Sequence, residues 1–146
     1  MTDHRDKQPP TGGAAAPPDM AWLFFRFDGR IGREAYWLGL GFIWVLFLGL
    51  VMALGEDLEE AAEGGLFWVA FIISQWAELA LLVKRLHDRA LPGLWALVKF
   101  IPFAGILWMI LAGLMSGDDG ANGYGEGPEQ RGAGPLSPGP PRGGGD

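Results

Sequence analysis

The chain has 146 residues, a net charge of −6 at pH 7, 49% hydrophobic residues, 7 Trp and no Cys. No broad Lys/Arg surface exists to meet a phosphate backbone, which excludes nucleic acid as a partner; the lack of Cys excludes disulfides, thiolate catalysis and Cys-ligated metal. The apolar residues are gathered into runs long enough to cross a bilayer, a distribution foreign to an ordinary soluble domain.

Residues 1–19 are polar and rich in Gly, Ala and Pro, too poor in bulky apolar groups to repay ordering, and are predicted to be a disordered cytoplasmic arm. They hold no apolar run of the kind a cleavable secretory signal needs. From Met20 the character changes. Trp22, Leu23, Phe24, Phe25 and Phe27 stand among Arg26, Arg30 and Arg33, a mixture suited to an interfacial segment with rings among headgroups and cations toward water or lipid phosphate. Asp28-Gly29 reads as a turn. Residues 35–54 carry no charge and are predicted to be the first span, since about 20 residues at 1.5 Å rise cross a hydrocarbon core of about 30 Å. Tyr36 and Trp37 sit at its entrance as an aromatic belt requires. Gly49 and Ala53 form a small-xxx-small pair that suits a helix contact.

Residues 55–65 contain Glu56, Asp57, Glu59, Glu60 and Glu63 without a basic residue. They lack the ordered ligand pattern of a calcium loop, so a solvated loop or short external helix is expected, with no metal site. Residues 66–83 are the predicted second span, lengthened by the snorkelling stems of Lys84 and Arg85. Glu78 breaks its apolar character. An ionisable group inside a span faces another helix or a wet cavity, so Glu78 either docks helices or handles an ion. Lys84 and Asp88 are an i,i+4 pair, whereas the neighbours His87 and Asp88 do not share a helical face. No third member completes a triad, and His4 is the only other histidine; no catalytic, cofactor-binding or metal-binding residue is expected.

Residues 94–115 are read as one tilted third span, kinked at Pro102, with Lys99 snorkelling to the interface. The competing reading splits the stretch into an interfacial helix at 94–99 and a short span at 103–115. Gly105, Ala112 and Gly113 suit close helix approach. Residues 117–146 are a Gly/Pro-rich tail, expected to be disordered after Pro128; the glycines at 120–127 lack the GK[ST] ending of a phosphate loop. The expected fold class is all-α: a polytopic helical membrane protein with three transmembrane helices in a domain at 20–116, and disordered tails. Arg26, Arg30 and Arg33 precede the first span and Lys84, Arg85 and Arg89 follow the second. Positive charge stays inside, which puts the amino terminus in the cytoplasm, the acidic loop outside, and after a third crossing the carboxyl terminus outside.

One resemblance rests on Phe27, Gly29, Arg30, Arg33, Glu34, Tyr36 and Trp37, then Arg85-Leu86-His87-Asp88, then Asn122-Gly123-Tyr124-Gly125. In this order they resemble the DUF805 family of small bacterial inner-membrane proteins, over about residues 22–128. Lys84 stands where that family usually has a second arginine, Pro92 near a usual serine, and Gly123 at a usual arginine. The resemblance implies an inner-membrane location and transfers no reaction.

The leading functional expectation is a non-enzymatic scaffold or lipid/protein interaction module. Its interfacial or structural polar cluster comprises Arg30, Arg33, Glu34, Glu78, Lys84, Arg85, His87, Asp88 and Lys99. The expected partners are membrane lipids, anionic ones among them, a second copy of the chain or another membrane protein. The alternative is a small transporter or ion-handling component using Glu78 and Lys99 in an oligomer. An enzyme acting on lipid comes third, because Glu34, His87 and Asp88 lack a nucleophile or oxyanion site.

Overall fold

A computed structural model describes residues 19–128, and within them every regular element is helical. The disorder expected of residues 1–18 and 129–146 falls outside this range. A six-residue helix α1 (Met20–Phe25) is capped by the Asp19 carboxylate, which accepts from the Trp22 N–H at 2.6 Å. Helix α2 (Arg33–Leu54) is uncharged after its first turn and ends at Gly55, whose φ of 49° breaks the helical path. A 3-10 turn (Gly55–Asp57) and α3 (Leu58–Glu63) make up the acidic connection. Helix α4 (Leu66–His87) then runs back along α2. Both α2 and α4 are long and apolar enough to cross a membrane.

The two long helices approach each other at Gly39, where a Cβ would come within 3.1 Å of both Leu81 methyl groups. Leu81 is fully buried there. Gly49, by contrast, faces open space, so the contact predicted for Gly49 and Ala53 is made a few turns earlier, at Gly39. The core is lopsided: no α2 residue after Ile43 and no α4 residue before Ala77 is buried. The far half of the hairpin is α2 and α4 with the aromatic rings of Phe47, Phe67 and Phe71 in contact. Such an apolar surface is stable against lipid because a helix satisfies its own backbone.

The third apolar stretch is shorter than a span and comes in two pieces. A 3-10 helix (Gly93–Phe100) is followed by a break and then by α5 (Ala104–Leu114). Thus the single kinked helix expected over 94–115 is replaced by the split arrangement. Pro102 supplies no backbone donor to continue a helix, and Phe103 adopts a left-handed φ of 62°. A Cβ at Gly105 would overlap the Lys99 backbone, so only glycine lets the chain fold back so tightly.

The two pieces form a hairpin beside α4. Lys99 reaches Gln75 and Glu78, and Glu78 lies about 14 Å along the helix axis from His87. Eight 3-10 residues at about 2.0 Å each descend about 16 Å, and eleven α-helical residues climb about 16 Å back. The return is visible in the contacts. Tyr36 donates to the Met109 carbonyl, Trp37 to that of Gly113, and the Asp118 N–H to the Asp88 carbonyl at 2.8 Å. Residues 116–128 therefore stand at the same end of the bundle as Arg30 and Asp88. At eleven residues, α5 is shorter than the roughly 20 residues that a straight crossing of a core of about 30 Å takes.

Candidate functional site

Asp88, the residue that caps α4, is the centre of a buried charge cluster. It is 2% exposed, Arg30 1% and Arg85 0%. Arg30 follows the Asp28-Gly29 turn, in which Gly29 takes a φ of 90° that a side chain would resist. The Arg30 Nε and Nη2 donate to Asp88 Oδ1 at 3.1 and 2.9 Å. Its remaining donors reach carbonyl oxygens of Asp118 at 2.8 Å, Gly120 at 2.5 Å and Gly125 at 3.2 Å. Arg85, one turn before Asp88 on α4, gives Nη1 to the other carboxylate oxygen, Nε to the Ala112 carbonyl at 2.9 Å and Nη2 to that of Met115. Those two carbonyls belong to the end of α5, where no further turn donates N–H groups to them. A cation there also complements the negative end of the helix.

The segment after α5 wraps this centre. Asn122 and Gly125 exchange two backbone hydrogen bonds across a tight turn, and Gly125 carries the φ of 120° that closes it. The Asn122 amide donates to the His87 carbonyl at 2.9 Å, and the Tyr124 ring stacks on His87 at 3.9 Å between centroids. His87 Nδ1 lies 3.3 Å from the Gly29 carbonyl. A Cβ on Gly117 would fall on the Asp88 carboxylate, so the chain passes over the ion pair as closely as a backbone can. Residues 117–128, expected as the start of a Gly/Pro-rich tail, are thus part of the site.

Lys84 is fully buried and does not snorkel. Its ammonium donates to the Leu23 carbonyl at 2.8 Å and lies 5.0 Å from the Trp22 ring centre, tying α1 to α4. Arg85 likewise points into the bundle, because α5 offers it carbonyls that water would otherwise supply. A second polar group lies deeper: the Lys99 ammonium donates to Glu78 at 2.5 Å and to Gln75 at 2.8 Å, with both charged side chains 4% exposed. Lys99 therefore does not reach toward the interface as expected; it anchors the tip of the hairpin. Arg33 and Glu34 are exposed, outside both groups.

The structure brings Arg30, Arg85, His87 and Asp88 together, separates Glu78 and Lys99 from them, and leaves Arg33 and Glu34 at the rim. The acceptors from Ala112, Met115, Asp118, Gly120 and Gly125 had no side-chain signature; the Asn122-Tyr124-Gly125 resemblance was their one trace in the sequence. Among the described residues, no three acidic or histidine side chains converge in a way that could hold a metal ion.

A family model described as a protein of unknown function, DUF805, matches residues 24–126. The chain belongs to the DUF805 family. It is 36% identical over 92 residues to the uncharacterized protein YiiR of Escherichia coli, covering 63% of this chain and 57% of YiiR. The chain thus spans a little over half the length of that relative. Two shorter relatives are covered more fully: the E. coli inner membrane protein YhaI, 31% identical over 106 residues (70% of this chain, 86% of YhaI), and the inner membrane protein YhaH, 31% identical over 105 residues (70% and 87%). No solved structure matches the chain. The matched region begins in α1 and ends just beyond Gly125, so it takes in every side chain of the Arg30–Arg85–Asp88 centre. This DUF805 chain is an all-α membrane protein with two membrane-length helices and a shorter third.

Proposed function

We propose that this DUF805 protein is a non-enzymatic module of the inner membrane, a rigid scaffold that presents its faces to lipids and to other membrane proteins. The observation that carries the reading is how the buried Arg30, Arg85 and Asp88 side chains engage one another and the backbone. Asp88 is held between two arginines whose other donors all end on backbone carbonyls, so the cluster holds a fold together and leaves no poised acid, base or nucleophile. Removing the arginines would unfasten α5 and the segment behind it.

In this reading the amino terminus and residues 116–128 face the cytoplasm and the acidic 55–65 connection faces outward. Two complete crossings and one hairpin dipping in from the cytoplasmic side give that arrangement. Arginines and lysine gather at one end and five carboxylates at the other, which supports it through the positive-inside rule, and the Arg30 contacts to residues 118–125 support it through distance.

The second reading, a component that moves an ion or small solute, is favoured by the buried Lys99–Glu78 pair, since ionisable groups at depth in a membrane often mark pathways. Proteoliposomes decide between the two. Purified protein should give no solute- or proton-dependent flux above empty vesicles, and mild extraction should recover it with bound lipid or a stoichiometric protein partner. Flux that disappears in Glu78→Gln would replace the scaffold by the transporter.

A further inference from the structure

We propose that Arg33 and Arg89 form a binding site for the phosphate of an anionic phospholipid headgroup, at the rim of the Arg30–Arg85–Asp88 centre. Four arginines, Arg30, Arg33, Arg85 and Arg89, stand around this centre. The carboxylate within it, Asp88, is committed to Arg30 and Arg85. Arg33 and Arg89 form no ion pair among the described residues, and the Arg30–Asp88 hydrogen bonds hold the two segments that carry them side by side. Glu34 follows Arg33 directly and so points away from its helical face. The Asp118 carboxylate accepts from Asn122 at 3.3 Å.

Arg89 supplies an independent sign of a missing acceptor. Its Nε is buried and has no hydrogen-bond partner, so the guanidinium gains by shifting toward the rim, where that nitrogen can meet a water, an ion or a ligand oxygen. A guanidinium offers paired donors that match phosphate oxygens. Arg33 opens α2 and Arg89 follows α4 by two residues. Both therefore sit where the membrane-length helices leave the apolar core, at the depth of headgroup phosphates, where each cation attracts anionic lipid. Trp37, one turn along α2 and partly exposed, provides an apolar wall at the same rim.

This site deepens the interaction-module reading and can fail without it: a chain that shows no flux and no selective lipid effect remains a scaffold lacking this site. The test uses the full chain in nanodiscs of zwitterionic phosphatidylcholine, with or without a fifth of phosphatidylglycerol. The anionic lipid should raise the unfolding temperature of the parent. Arg33→Gln/Arg89→Gln should unfold like the parent in the zwitterionic disc yet lose at least half of that rise, and native mass spectrometry should show at least tenfold less retained phosphatidylglycerol. Arg26→Gln, which removes an exposed cation already paired with Asp28 at 2.8 Å, should keep both effects. An equal loss in Arg26→Gln would reduce the site to a diffuse field and overturn it. So would an undiminished rise in the double variant, or a double variant and both single variants that fail to fold in the zwitterionic disc. Inorganic phosphate added to zwitterionic discs separates the two sources of the anion: full protection by phosphate with none from the lipid overturns the lipid assignment.

Discussion

At the scale of single residues, Asp88 and Arg85 carry the most consequence. A buried ion pair is a weak source of net stability, but removing one partner strands the other's charge away from water, at about 3–5 kcal/mol. Asp88→Ala strands two arginines at once and should cost at least that much, measured by unfolding in mixed micelles. Arg85→Lys keeps the charge but cannot serve Asp88, Ala112 and Met115 from one planar fork; a loss of about 1–3 kcal/mol is expected from the abandoned acceptors. Arg33→Lys, at an exposed position, should stay within about 0.5 kcal/mol of the parent. Equal stability of the Arg85 and Arg33 variants would mean that Arg85 contributes charge alone. Lys84 makes the same point without a carboxylate: its ammonium is held by the Leu23 carbonyl and by the Trp22 ring.

At the scale of elements, the hairpin of the 3-10 helix and α5 depends on polar ties at its tip and its end. Eight residues of 3-10 helix is long for a conformation with strained hydrogen bonds, and the Lys99–Glu78 pair pins the end of it. Lys99→Met should destabilise the fold by about 3–5 kcal/mol by leaving Glu78 buried and alone, whereas Lys99→Met/Glu78→Leu should recover most of that, since apolar replacement of a whole buried pair is often neutral. No recovery in the double variant would assign Lys99 a role beyond neutralising Glu78. The turn that launches the hairpin carries its own strain. Ala90 follows α4 with a φ of 53° while the Leu91 N–H bonds back to the Leu86 carbonyl, a helix ending that favours glycine. Ala90→Gly should raise stability by roughly 0.5–1 kcal/mol in the same unfolding measurement.

At the scale of the whole molecule, the lopsided core has a topological consequence. Packing is concentrated where α1, α2, α4, α5 and residues 116–128 meet; toward the acidic connection α2 and α4 continue with far less cover. The end of the described chain returns to the start of α2: a Cβ on Gly32 would lie 3.7 Å from Pro128. Reporter fusions placed before Asp19 and after Pro128 should thus report the same compartment, and an insertion near residue 60 the opposite one. A fusion after Pro128 that reports with residue 60 would require α5 to cross the bilayer, and would break the Arg30 contacts to residues 118–125.

The sequence by itself determined the helical membrane class, because uncharged runs of span length in so short a chain exceed what one soluble core takes up, and it determined the family resemblance through Phe27 to Trp37, Arg85 to Asp88 and Asn122 to Gly125. It marked Glu78 as unusual, since the order of residues shows where an acid interrupts an apolar run, and it placed Asp88 in the basic cluster that follows. Only the tertiary structure decided that Lys84, Arg85 and Lys99 turn inward. Snorkelling and burial call for the same residues near a helix end, and the difference lies in whether neighbouring backbone offers carbonyls. Local signals also left the path of residues 94–115 open, because hydrophobicity measures what lipid tolerates and not the direction in which the chain returns. That direction is decided by Gly105 against Lys99 and by Arg30 and Arg85 against carbonyls up to 95 residues away, contacts that exist only once the chain has folded.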